Sequence, residues 1–377
     1  MVSVIIGGDI CPKGKNLALF KAGDAEGIFN DLLCEFRNAD LSIVNLECPL
    51  ISKESPIFKD GPILGVESKC VNGLEKAGID VVNLANNHIL DHGTDGLMHT
   101  LESCTNAGIS TVGAGKNLKD ASKIAVLNLK KTKIGILAVT EHEFSIAKSN
   151  SYGANPYDAT DFVRNVKQHR ESFDYLVVIF HGGAEHYAYP SPRLKNTCHF
   201  MVEIGADAVI VQHSHCPGCY EKYRGSHIIY GQGNLIFDVP NKDRGFYEGF
   251  LVKLIIPDNS ESIIEFLPYT QSLDSTGAKK MDLQAEKVFL NEFKDRSLAI
   301  EDDSFVEEQW LRYCRSKRKA YLYKIFGHNY FFKKLIRMNI FLKYLTTKNS
   351  ILRLQNTIRC ESHREVLETI FDNKMYY

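Results

Sequence analysis

Through its first 270 or so positions the chain repeats one pattern. A short apolar run rich in β-branched residues gives way to a polar or glycine-rich break, and then to a longer segment with apolar residues at helical spacing. The runs at 2–6, 41–46, 175–180 and 208–211, and the shorter one that opens at Val81, are apolar at nearly every position, as strands buried on both faces are. Between them the spacing predicts helices over 25–37, where Ile28, Phe29, Leu32, Leu33 and Phe36 share a face, and over 68–77, 94–107, 158–172 and 192–205. The runs 124–129 and 134–139, joined by Lys130-Lys131-Thr132-Lys133, predict a hairpin, and extended segments return between 228 and 268. Beyond Asp274 the character turns helical, with candidates near 282–293, 305–326, 329–345 and 350–372. This reading gives an α/β domain over 1–275 and a helical C-terminal region over 276–377.

The chemistry sits where the strands stop. The first strand is expected to end at Gly7-Gly8 and to present Asp9; the next ends at Glu47. The run from Val81 ends in Asn87, His88, Asp91 and His92, the one from Tyr175 in His181, Glu185 and His186, and the one from Ala208 in His213 and His215. Taken singly, each is as well read as a polar turn or a satisfied core histidine. Strand ends of an open α/β sheet converge on one edge, however, and carboxylate, amide and imidazole groups gathered there form a donor set for divalent metals.

Composition narrows the setting. Across 377 residues, 44% hydrophobic and 24% charged content exclude a disordered chain. A basic leader and an 18-residue apolar run are both missing, so the expectation is a cytoplasmic chain without a spanning helix. Ten cysteines in such a setting are expected to be reduced and buried, and the lone pair Cys216-Pro217-Gly218-Cys219 lacks a second pair to complete a thiolate site. Formal net charge is −1, yet residues 309–360 carry thirteen Lys or Arg and no Asp or Glu, leaving 32 of the 45 basic residues against all 46 acidic ones elsewhere. With its interleaved aromatics, this stretch suits either a helical cap or peripheral contact with an anionic membrane; nucleic acid ranks third, since no recognised motif accompanies the charge.

The ordered set Gly8-Asp9, Asn45-Leu46-Glu47, Asn86-Asn87-His88 with Asp91 and Gly93, His181-Gly182-Gly183-Ala184-Glu185, His213-Ser214-His215 and Tyr230 to Asp238 resembles the CapA (PgsA) family of bacterial capsule and poly-γ-glutamate synthesis proteins. That family is similar to calcineurin-like metallophosphoesterases. The resemblance spans residues 2–270 and implies a four-layer α-β-β-α sandwich of two mixed sheets between helices. It implies two divalent ions, manganese, zinc or iron: Asp9 and His215 at one, Asn87, His181 and His213 at the other, and Glu47 between them. His88 becomes the general acid, with Asp91 as its partner, and Glu185, His186 and Asn234 fall near substrate or behind the ligands. The implied substrate is an anionic polymer or a phosphorylated small molecule. Two departures matter. Cys11 stands where the phosphoesterase pattern has a histidine, and Glu47 where it has an aspartate. Cys11 is either a thiolate ligand or a buried residue beside a site one ligand short. The rival function is a non-catalytic polymer-binding or assembly subunit.

Overall fold

Parity along the buried strands decides where each side chain goes, and a computed structural model describing residues 1–258, 260–273, 275–326, 347–359 and 363 shows the outcome. The first sheet contains β1 (Val2–Cys11), β2 (Leu41–Leu46), β3 (Val81–Asn83) and β4 (Ser110–Val112), mutually parallel in that order. The second contains β5 (Ala125–Leu129), β6 (Thr132–Thr140), β7 (Tyr175–His181), β8 (Ala208–Gln212), β9 (Tyr220–Tyr223) and β10 (Ser226–Tyr230), in spatial order β9-β10-β8-β7-β6-β5. The chain then returns to the first sheet. There β11 (Asn234–Phe237) joins the end of β1, and β12 (Glu248–Ile256), β13 (Ile263–Gln271) and β14 (Ala278–Lys280) extend the opposite side antiparallel. Both sheets are therefore mixed.

In β7, Tyr175, Val177 and Ile179 enter the core between the sheets, while Leu176, Val178 and Phe180 enter a core with the outer helices. Val4, Ile6, Leu41, Ile43 and Val81 face the same inter-sheet core from the other side. The outer faces are covered by helices, as apolar sheet faces must be. On the first sheet these include α1 (Leu17–Ala22), α2 (Ala25–Phe29), α3 (Leu33–Asn38), α4 (Val71–Ala77) and α5 (Gly93–Asn106). After the short α6 (Leu118–Ala121), α7 (Ala159–His169) and α8 (Pro192–Ile204) cover the second. The four layers α-β-β-α are those expected of a metallophosphoesterase-like fold.

Two local readings are corrected. The first strand does not stop at Gly7-Gly8; it runs on to Cys11 through a bulge, because Ile6 pairs Ile43 while Asp9 pairs Asn45. The helix expected over 25–37 is broken at Asn30, whose φ of 44° leaves the helical region and whose side-chain amide donates to Ala278 O. A compact unit spans Met1–Trp310 and a second Leu311–Tyr377. In the first unit, α9 (Leu283–Ala299) buries Phe289 and Phe293 against Phe250. The helix α10 (Asp303–Phe326) follows, and α11 (Lys348–Arg359) represents the start of the expected 350–372 helix. The remainder of that helix, and the one expected over 329–345, lie outside the described residues.

Candidate metal centre

Each inward-facing apolar register becomes polar at its last position. Asn45 follows Leu41 and Ile43, Asn83 follows Val81, His181 follows Ile179, and Gln212 follows Ile210; all four polar side chains are buried. Asp9 belongs to the opposite parity. The extra residue in the Gly7-Gly8 bulge reverses it and turns the carboxylate inward.

Asp9, Glu47, Asn87, His181, His213 and His215 are all buried and converge. Ligand atoms of Asp9, Glu47 and His181 lie within 4.8 Å of one another, as do those of Glu47, His213 and His215. His181 Nε2 is 3.2 Å from Asn87 Oδ1, 3.4 Å from Glu47 Oε1 and 3.1 Å from His213 Nδ1. His215 Nδ1 is 3.4 Å from Asp9 Oδ2. His213 and His215 hold φ values of 94° and 54°, a left-handed backbone costing about 1–3 kcal/mol each that clusters at functional sites.

The charges explain one another. Burial opposes ionisation of Asp9, but hydrogen bonding to His215 and the nearby His181 outweigh it and hold the carboxyl below its usual value. Burial likewise favours neutral imidazoles, yet Glu47 raises His181, and Asp9 raises His215 to about 9. His213 shares the burial and faces both of those rings, so it is pushed well below an ordinary histidine. Glu47 Oε1 is buried with no hydrogen-bond partner, and His181 Nε2 lies 3.4 Å from it. A buried carboxylate oxygen without a hydrogen-bond partner suits a cation, and the hard and borderline donors gathered around it fit a divalent metal.

Several supporting roles were not assigned from the sequence, although Asn45 and Asn86 stand in its motifs. Asn45 Nδ2 donates to Asp9 Oδ1 at 2.8 Å and to Glu47 Oε2 at 2.5 Å, while its Oδ1 accepts from Asn83 and Asn86. Gln212 continues this amide network to Gly7 O and Gln232. Glu143 accepts from Asn87 Nδ2 at 3.2 Å, turning the amide oxygen toward His181. An amide inside an otherwise apolar strand register was the signal for Asn45; Glu143 sits in a loop and left none.

The remaining expected residues divide. Asn234 Nδ2 donates to Phe246 O, so its Oδ1 must accept from His215 Nδ1, 2.8 Å away. His88 Nδ1 lies 2.6 Å from Asp91 Oδ2. Glu185 and His186 stand on an exposed turn outside both ligand groups, with the His186 ring centroid 6.0 Å from that of His215. Cys11 is in the apolar core with Cys48 and Cys70, and neither ligand group contains it. Cys216 and Cys219 are buried too, and burial raises both thiols, Cys216 to about 12. The Gly218 between them lies so close to Tyr230 O that a Cβ could not fit, which makes this pair part of a tight backbone crossing.

Comparison with known proteins adds the following. Residues 3–239 match the family model described as bacterial capsule synthesis protein PGA_cap. The capsule biosynthesis protein CapA of Bacillus anthracis is 28% identical over 72% of this chain and 67% of its own length. The PGA biosynthesis protein CapA of Bacillus subtilis is 29% identical over 74% of each chain. Among solved structures, a candidate 5′-nucleotidase from Staphylococcus aureus superposes with a TM-score of 0.47 at 16% identity, covering 77% of this chain and 58% of that one.

Proposed function

The chain belongs to the PGA_cap family of bacterial capsule synthesis proteins, and from that premise we propose that it is a two-metal hydrolase of surface-polymer biosynthesis that cleaves a phosphoester. The observation that carries this reading is the buried Glu47 Oε1, without a hydrogen-bond partner and facing the His181 ring, with donor atoms of His213 and His215 within 4.8 Å of the same carboxylate. Asp9 and His215 would hold one ion, Asn87, His181 and His213 the other, and Glu47 would serve both. Bound there, divalent ions supply Lewis-acid polarisation of the phosphoryl oxygens.

The chain's own residues do the rest. Asn45 donates to both carboxylates and so eases their mutual repulsion. Asn234 fixes the tautomer of His215, leaving Nε2 as the ligand atom. Asp91 holds His88 by Nδ1, so Nε2 delivers the proton to the leaving oxygen. The substrate is a phosphorylated small molecule or an anionic polymer, met in the cytoplasm at or near the membrane surface. One observation favours a second reading, a non-catalytic polymer-binding subunit: Cys11 lies in the core and leaves the first position without the ligand that the phosphoesterase pattern places there.

Elemental analysis of the purified chain, followed by phosphomonoester and phosphodiester assays with added manganese or zinc, separates the two. The hydrolase reading expects about two metals per chain, lost in His213→Ala. In His88→Ala the metal should remain while kcat falls about 10²- to 10⁴-fold. A chain that neither binds metal nor turns over after reconstitution is the polymer-binding subunit.

A further inference from the structure

Most residues from 52 to 63 are exposed, and Phe58 is wholly so, yet the side chain of Lys59 is only 2% exposed. Lysines in exposed loops ordinarily keep the ammonium in water, because burying it costs several kcal/mol unless a partner compensates. Here Lys59 Nζ lies 2.5 Å from Asp91 Oδ1, 3.4 Å from Asn87 O and 3.3 Å from His88 Nδ1. Asp91 itself is fully buried, and its other oxygen, Oδ2, meets Leu64 N at 2.7 Å and His88 Nδ1 at 2.6 Å. The same loop is tied to the same turn by Ile57 N on Asp91 O and Ser55 N on His92 Nδ1.

We propose that Lys59 is a positioning residue for His88, acting through Asp91. A carboxylate can rotate and offer either oxygen. With Oδ1 taken by the ammonium and Oδ2 by the Leu64 amide, only one orientation is left, and it aims Oδ2 at His88 Nδ1. The imidazole is thereby fixed as the Nδ1–H tautomer with Nε2 turned away from Asp91. A loop that contributes no atom to the metal ligands thus sets the geometry of the residue assigned to proton transfer. The inference rests on the reading of His88 as general acid only for its kinetic consequence; the effect on the imidazole stands without it.

Lys59→Met keeps the stem and removes the ammonium. In the full chain, ¹⁵N-histidine spectra should show His88 as a single Nδ1–H tautomer, and Lys59→Met should convert it to an interconverting mixture while metal content stays that of the parent. Turnover should fall about 10- to 100-fold in kcat with KM little changed, and adding Lys59→Met to Asp91→Asn should cost nothing more. A folded Lys59→Met chain with the parental tautomer and kcat, or one that loses only thermal stability, overturns the proposal. Should that variant not fold, Lys59→Ala supplied with ethylammonium replaces the missing group. Return of the single tautomer then supports the assignment, and recovery of the fold without it overturns it. If the parent chain hydrolyses no phosphoester, the functional reading fails while the tautomer comparison still decides the role of Lys59.

Discussion

Asn45 shows what a single buried residue does here. Two carboxylates and three imidazoles buried together would be costly if left to themselves, and one amide touching both acids, backed by Asn83, Asn86 and Gln212, turns them into a connected network. The same electrostatics predict how metal binding responds to pH. His215 is raised to about 9, so it holds a proton in the metal-free chain near neutrality, and His181 is shifted in the same direction. A cation must displace that proton. Affinity should therefore rise with pH from 7 and level off above about 9, with about one proton released per binding event. Calorimetric titration in buffers of different ionisation enthalpy measures the release directly; affinity independent of pH over that range would contradict it.

Among elements, β1 is the one on which the site depends most. Its N-terminal half alternates between two apolar cores, and its C-terminal half would present Asp9 to the helical side were it not for the bulge. Gly8 makes that bulge possible, because a Cβ there would collide with Gly233 O in the turn before β11. Gly8→Ala is expected to destabilise the fold by about 1–3 kcal/mol, in the manner of an overpacked core. It should also lower metal occupancy by displacing Asp9, whereas Gly108→Ala, at a position with open space around it but a φ of 72°, should cost stability and leave the metal content intact. Thermal melts beside elemental analysis of the two variants test this pairing.

At the scale of the molecule, the charge is divided along the chain. The first compact unit carries the ligand set and its own cores, and the basic stretch begins at its end. Among the described residues no helix is long and apolar enough to cross a membrane. If the basic stretch meets an anionic surface, each Lys or Arg near the headgroups contributes about 1 kcal/mol, weakened as salt rises. Sedimentation with phosphatidylserine vesicles should therefore pull down the full chain at low salt and release it at high salt. Removal of residues beyond 310 should abolish binding while the metal content is kept. Equal binding by both forms would assign the stretch to capping the fold.

The sequence alone determined the succession of elements and the polar groups that end the strands, because buried strands and amphipathic helices each impose a local period, and strand ends must shed their apolar character where chemistry is done. The motifs from Gly8-Asp9 to Asn234 also carried the family. Tertiary structure alone decided which way those groups point and what holds them. Asp9 faces inward only because a bulge shifts the register against β2, Cys11 joins the core, Asn87 is turned by a glutamate 56 residues away, and Lys59 reaches Asp91 across 32 residues. None of these follows from spacing, since each depends on pairing and burial between segments whose separation along the chain carries no information about their distance in the fold.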